Sequence, residues 1–184
     1  MKKLILHSCC APCLAGAIEH SMTKYETIVF WYNPNIYPQS EHNKRLAELK
    51  RLCNIYKIYY IIDNGDYETE HQKWKEYIAG DENEPEGGNR CRKCIEFRLK
   101  KTQETFSDPI ATTLTVSKYK DSVMISEIEN LLGTNNFIFI DFKEYNPEIH
   151  SREITKKYDI YRQKYCGCEY SMKKTNENMS SKTD

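Results

Sequence analysis

A short apolar run, Leu4-Ile5-Leu6, leads without a break into His7-Ser8-Cys9-Cys10-Ala11-Pro12-Cys13, and no other stretch limits the possible folds as strongly. The run reads as a first strand. Pro12 suits the first turn of a helix, where its missing N–H costs nothing. The three cysteines therefore stand at a strand-to-helix junction. In open α/β sheets that junction, at the carboxyl end of a strand, is where ligands bind. A helix start also favours negative charge, and with it thiolate over thiol. Three cysteines within five residues at such a point suggest a metal or redox centre. The alternative is a buried structural cluster of small side chains.

The rest of the chain alternates in the same way. Helical spacing runs from Pro12 to about Met22. Thr27-Ile28-Val29-Phe30-Trp31-Tyr32 is a continuous β-branched and aromatic run, as expected of a strand buried on both faces. Asn33-Pro34-Asn35-Ile36-Tyr37-Pro38 has two prolines and reads as a loop at the same edge of the sheet. Helices are expected over Glu41–Tyr56, Tyr67–Ala79, Cys91–Phe106, Lys120–Leu132 and 151–165. Strands are expected over Lys57–Ile62, Ile110–Thr115 and Phe137–Asp141. The pattern predicts an α/β fold, a Rossmann-like parallel sheet with helices on both faces. Residues 66–105 are expected to form a small helical insertion that brings Cys91 and Cys94 over the first loop. The 184 residues suffice for one core, so residues 1–171 are read as a single catalytic domain. From Met172 the chain is polar and unpatterned, and 172–184 is expected to be a disordered tail.

Charge is balanced, 27 basic against 27 acidic residues, so any basic footprint must be local. Met-Lys-Lys precedes only a short apolar run, with no signal-peptide core and no stretch of eighteen apolar residues. A cytoplasmic protein without membrane contact is expected. In that reducing compartment the eight cysteines read as metal ligands or catalytic thiols rather than as a disulfide framework. Seven fall into three groups: Cys9, Cys10 and Cys13; Cys91 and Cys94; Cys166 and Cys168. Cys53 stands alone and reads as a small core residue.

Cys91-Arg92-Lys93-Cys94 opens a predicted helix, and its i, i+3 spacing puts both sulfurs on one face. Structural zinc takes four ligands around one ion, usually as two spaced pairs. Cys9 and Cys10 are adjacent, an awkward bite for a single tetrahedral ion. An iron–sulfur cluster offers separate irons, and Cys9, Cys10, Cys91 and Cys94 would complete a [4Fe–4S] site. Cys10-Ala11-Pro12-Cys13 also has the form of a thioredoxin-type C-x-P-C motif, a reading that leaves Cys91 and Cys94 without a role. Cys166-Gly167-Cys168 can close only a small, strained and easily reduced ring, so the pair can hold two electrons as dithiol and release them as disulfide. Further metal ligation is the alternative for that pair.

These residues together resemble a known family. His7-Ser8-Cys9-Cys10-Ala11-Pro12-Cys13, Tyr32-Asn33-Pro34-Asn35-Ile36-Tyr37-Pro38, Arg90-Cys91-Arg92-Lys93-Cys94, Thr112-Thr113-Leu114, Asp141-Phe142-Lys143 and Tyr161-Arg162-Gln163-Lys164-Tyr165-Cys166-Gly167-Cys168-Glu169-Tyr170-Ser171 are similar to the QueH-type epoxyqueuosine reductases over about residues 3–172. The resemblance implies reductive removal of the epoxide oxygen from epoxyqueuosine at the tRNA anticodon wobble position. It implies a [4Fe–4S] cluster on Cys9, Cys10, Cys91 and Cys94, a redox-active disulfide at Cys166 and Cys168, and an additional iron beside the cluster. The implied fold is a HUP-type Rossmannoid sheet. Nucleotide-binding relatives of that fold carry glycines after the first strand where this chain has cysteines, so no ATP is expected. Lys118 departs from the family pattern, which has a proline there.

The chemistry of the residues agrees with that implication. Turning an epoxide into an alkene takes two electrons and a group to accept oxide, and an iron beside the cluster could act as Lewis acid, with Cys13 as its candidate ligand. The electron donor is left open. Two basic stretches flank cysteine groups, 90–101 (Arg90, Arg92, Lys93, Arg98, Lys100 and Lys101) and 152–174 (Arg152, Lys156, Lys157, Arg162, Lys164, Lys173 and Lys174). Each is either a phosphate-binding face for tRNA or an ordinary solvated helix face. Tyr32, Asn33, Asn35 and Tyr37, in the loop after the second strand, are candidate substrate-binding residues. Tyr32, Tyr37 and Tyr165 could stack on a splayed-out base, and Trp31 fits the core better. His7 is either a proton donor to the leaving oxygen or a structural hydrogen-bonding group. A zinc-stabilised RNA-binding module and a thiol–disulfide oxidoreductase are the competing functions.

Overall fold

The computed structural model describes residues 1–133 and 136–173. Four strands, β1 (Lys2–His7), β2 (Tyr25–Trp31), β3 (Tyr59–Ile62) and β4 (Ile110–Thr112), form one all-parallel sheet in the order β3-β2-β1-β4. Between and after them run α1 (Ala11–Lys24), α2 (Gln39–Tyr56), α3 (Tyr67–Tyr77), α4 (Asn89–Thr105), α5 (Ser122–Leu131) and α6 (Pro147–Lys157). This is the expected α/β, Rossmann-like arrangement. The chain moves from β1 outward through β2 to β3, then returns to the other side of β1 for β4. The reversal opens a crevice at the carboxyl ends of β1 and β4, where such sheets bind ligands.

Strand residues alternate between two apolar layers, as a sheet covered on both faces requires. Leu4, Leu6, Val29 and Trp31 pack with Leu14, Ala17 and Ile18 of α1, Leu49 and Leu52 of α2 and Ile154 of α6. Ile5, Phe30 and Ile110 face the other way, against Phe97 of α4 and Phe106. Within the segment 66–105, α4 thus carries Cys91 and Cys94 at its start and covers the second face of the sheet with Phe97. Gly16 lets α1 approach α6 closely, since a Cβ there would stand 2.8 Å from Val116 Cγ1 and 2.9 Å from the carbonyl oxygen of Pro147.

Sequence expectations are corrected at three elements, of which the first is the helix over 151–165, which runs instead from Pro147 to Lys157. The strand over Ile110–Thr115 stops at Thr112, because the Thr112 hydroxyl accepts from the Leu114 amide and turns residues Thr113–Val116 into a 3-10 helix. With β4 so short, the strand expected over Phe137–Asp141 has little to pair with. It is reduced to one parallel bridge, Ile110 with Phe137, and Ile138–Ile140 lies outside any strand. At the carboxyl end, residues 169–173 are helical as far as they are described, so Met172 and Lys173 do not begin a tail. The remainder of the expected tail, 174–184, lies outside the described residues. No helix among the described residues is long and apolar enough to cross a membrane.

Candidate metal and redox site

Cys9 and Cys10 occupy the turn between β1 and α1, and Cys13 sits in the first turn of α1, with Pro12 beside it where expected. Their three sulfurs lie within 4.8 Å of one another, those of Cys9 and Cys10 3.8 Å apart. Among the described residues no other group of three Cys, His or acidic side chains is set to hold an ion. The turn is locked from below. His7 is fully buried, with Nδ1 3.0 Å from Thr112 Oγ1 and Nε2 3.3 Å from the carbonyl oxygen of Tyr32. Burial, reinforced by the nearby Arg98 charge, pushes the imidazole down to about 4. It is neutral at pH 7, so Nε2–H donates to the carbonyl and Nδ1 accepts from the threonine hydroxyl. His7 therefore ties β1 to both neighbouring strands, which is the structural of its two readings.

The other cysteine groups converge on the same place. Cys94 is buried in a cluster with Trp74, Ile78 and Cys168. Arg98, one turn beyond Cys94 on α4, is itself buried, donates from Nε to the Cys94 carbonyl at 3.0 Å and from Nη1 to Asn33 Oδ1 at 3.3 Å. Burial opposes its charge, but negative charge on the Cys94 and Cys9 sulfurs outweighs that effect and raises its pKa. Hydrogen bonding with Cys10 and Cys13, assisted by Arg98 and His7, holds Cys9 well below the usual thiol range. Burial pushes Cys94 up and Cys168 to about 12. Without a bound cation the site therefore carries one favoured thiolate among neutral thiols.

Sulfur-rich groups fit this donor set. The indole N–H of Trp74, buried beside Cys94, has no acceptor among the described residues other than that sulfur, whose charged form it favours, and is left short of a full partner. A negatively charged Cys94 sulfur would supply one. Cys9, Cys10 and Cys13 are close enough for a single ion, while Cys91 and Cys94 come from across the crevice. A multi-iron cluster presents its corners in different directions and suits ligands arranged that way.

The Cys166-Gly167-Cys168 segment is strapped to the loop after β2. Tyr37 N–H donates to the Gly167 carbonyl at 2.8 Å, and the buried Arg45 donates to the carbonyls of Cys166 and Tyr165 at 3.0 and 3.2 Å. Gly167 has φ +140°, and a Cβ there would press on Arg45 Nη1 at 3.1 Å and Ile36 Cγ1 at 3.2 Å. Only glycine suits both demands. Cys166 and Cys168 are unbridged. Lys120 Nζ lies 3.1 Å from Cys166 Sγ, and Gln163 Nε2 lies 3.0 Å from Cys10 Sγ.

Cys9, Cys13 and Cys166 stand in the wall of one cavity of about 570 Å³, which Cys10, Cys91, Cys94 and Cys168 do not line. Six cations line it, Arg98, Lys118, Lys120, Arg152, Arg162 and Lys164, against two carboxylates, Glu86 and Glu148. Of the four expected substrate residues, Asn33 and Asn35 line the cavity. Asn35 Oδ1 is buried without a partner, as is Gln163 Oε1. Tyr32 and Tyr37 sit elsewhere. Tyr32 is buried and donates its hydroxyl to Glu70 at 2.7 Å, and Tyr37 stacks on His71. Trp31 is in the core, as expected, and donates to His42. The basic run 90–101 is largely internal: Arg90 and Arg98 are buried, and Arg92, Lys93 and Lys101 pair with Glu127, Asp81 and Asp63.

The epoxyqueuosine reductase QueH family matches residues 4–174. The chain belongs to the QueH family. It is 32% identical to the epoxyqueuosine reductase QueH of Streptococcus pyogenes serotype M1, over 92% of this chain and 70% of that one. The corresponding protein of Acinetobacter baylyi is 33% identical (95% and 82% covered), and that of Thermotoga maritima 32% (94% and 91%). In this QueH-family chain, residues to which the sequence reading gave no individual role also build the site: Arg45 and Lys120, Gln163, quoted only within a motif, and Arg98, read only as a member of a basic run. Arg98 left a signal, standing four residues after Cys94 and so on the same helix face.

Proposed function

We propose that this protein reduces epoxyqueuosine in tRNA to queuosine in the cytoplasm, with Cys9, Cys10, Cys91 and Cys94 holding a [4Fe–4S] cluster and Cys13 holding an additional iron. The observation that carries the reading is the meeting of two cysteine groups, through Cys9, Cys13 and Cys166, at one cation-lined cavity, with Cys94 of the third group packed in a cluster with Cys168. When bound, the metal centre would supply single-electron transfer and a Lewis acid for the epoxide oxygen.

The protein's own residues do the rest. The reaction consumes two electrons and two protons and releases the oxygen as water. Oxidation of the Cys166 and Cys168 thiols to a disulfide yields both electrons and both protons, and an external donor then restores the dithiol. Lys120, whose ammonium charge is stabilised by the surrounding thiols despite burial, holds Cys166 at hydrogen-bond distance and keeps positive charge in the cavity. Asn33 and Asn35 position substrate in the wall of the cavity. Asn35 offers a buried acceptor with nothing else to accept from. Tyr32 and Tyr37 support that wall from behind, Tyr37 by holding Gly167.

The deciding experiment is anaerobic iron and sulfide analysis joined to mass spectrometry of epoxyqueuosine-containing tRNA after incubation with protein and a chemical reductant. Four or five irons per chain, with sulfide, and a nucleoside lighter by one oxygen are expected. Zinc without sulfide and unchanged tRNA would overturn the reading in favour of a zinc-stabilised RNA-binding module.

A further inference from the structure

We infer that the rim of the cavity formed by residues 117–120, with Arg152 and Lys164, is the surface that grips the anticodon arm. Tyr119 is its stacking platform for a nucleotide next to the one that enters. The inference rests on the tRNA reading above and adds where and how the RNA is held.

A cavity of about 570 Å³ admits one nucleotide, not an anticodon loop. The reacting base must leave the loop's stack to reach the cysteines, and its neighbours stay at the mouth. A splayed single strand is held by aromatic stacking and by cations on its phosphates. Both occur at this rim. Tyr119 is 76% exposed, the most exposed large apolar side chain in the cavity wall, and its hydroxyl has no partner among the described residues. Tyr165, the other aromatic in the wall, is fixed: its hydroxyl donates to the Tyr37 carbonyl and the Arg45 guanidinium lies over its ring. Lys118 Nζ lies 5.4 Å from the Tyr119 ring centroid, and with 76% of the residue exposed the ring still keeps a face open to a base.

The cations divide in the same way. The two carboxylates of the wall are answered locally, Glu148 by Lys118 at 3.7 Å and Glu86 by Lys120 at 3.9 Å. Arg162 donates to Ser151 and Thr155. Arg152 and Lys164 are exposed and have no side-chain partner among the described residues. They are left for phosphate. The α4 run, by contrast, is held by burial of Arg90 and Arg98 and by ion pairs of Arg92, Lys93 and Lys101, and among the described residues leaves Lys100 unpaired.

The test measures binding of an anticodon stem–loop carrying guanosine at the wobble position, by fluorescence anisotropy, so that affinity is read without turnover. Tyr119→Ala is expected to weaken binding about tenfold and Tyr119→Phe to leave it within about twofold, because stacking needs the ring and not the hydroxyl. Arg152→Glu with Lys164→Glu should weaken it more than about tenfold and flatten the dependence of log affinity on log salt by roughly 1.5. Arg92→Glu with Lys100→Glu, on α4, should do neither. Rim variants that bind like the wild type, or an α4 pair that loses as much as the rim pair, would overturn the interface. A wild type that binds through this rim but leaves epoxyqueuosine untouched would sink the reductase reading and leave the interface standing.

Discussion

The ammonium of Lys120 lies 3.1 Å from the sulfur of Cys166, joining the loop after β4 to a segment 46 residues further along the chain. Lys120 is mostly enclosed, and burial acts to lower its pKa. The Cys166 and Cys91 thiols outweigh that effect and raise its pKa, so it stays charged throughout the physiological range. Lys120→Met removes a charge-assisted hydrogen bond worth about 1.5–3 kcal/mol, roughly a ten- to hundredfold change in rate. Turnover of epoxyqueuosine-containing tRNA should fall by that factor while iron content holds. Turnover equal to the wild type would show that the contact is incidental.

Cys166→Ser tests the dithiol. None of the proposed cluster ligands is touched, so iron and sulfide per chain should be unchanged. A lone Cys168 cannot close a disulfide, and multiple turnovers should cease. Full activity in this variant would remove the two-electron role from the pair.

How much of this was legible before folding depended on the range over which each feature is decided. β1 and its cysteine turn follow from a local pattern, an apolar run ending at a proline-started helix, and they form as expected. The strand expected over Phe137–Asp141 looked equally apolar, but whether it pairs is decided elsewhere, by the Thr112 hydroxyl that ends β4. Charge was read least well. Arg90 and Arg98 belong to a basic run that suggests a solvated face, yet both are buried, Arg90 against the carbonyls of Glu82 and Glu84 and Arg98 among thiols. Arg45 meets its partner 121 residues away and nothing in its neighbours in the sequence marks it, while Gln163 stands in a recognised motif that does not reveal its partner, Cys10, 153 residues away.

Gly16→Ala should destabilise the fold. The new methyl meets Val116 Cγ1 at 2.8 Å and the Pro147 carbonyl at 2.9 Å, and backbone cannot move aside as a flexible side chain can. Overpacking costs about 1–3 kcal/mol, partly offset by the roughly 1 kcal/mol by which alanine favours a helix over glycine. A net loss of up to about 2 kcal/mol in urea unfolding is expected. Since α6 also forms the Pro147 and Ser151 side of the cavity, a weaker hold on tRNA should accompany it. Unchanged or raised stability would mean that α1 and α6 are not packed this closely.

Glu129 makes stability depend on pH in a direction opposite to most carboxylates. It lies on α5, 4% exposed, with Oε2 unpartnered, and burial pushes its carboxyl up to about 7. Between the ordinary carboxylate pKa and 7, the folded chain holds a proton that the unfolded chain has released. Fewer protons bound in the unfolded state means that stability falls as pH rises through this window. The rise to about 7 corresponds to about 3–3.5 kcal/mol, lost by pH 8 and largely recovered near pH 4.5. Glu129→Gln keeps the shape and removes the charge. Urea unfolding of the two proteins should therefore coincide near pH 4.5 and diverge above pH 6, with the glutamine variant the more stable at pH 8. A gap that stays constant across this range would mean that Glu129 is not the titrating group.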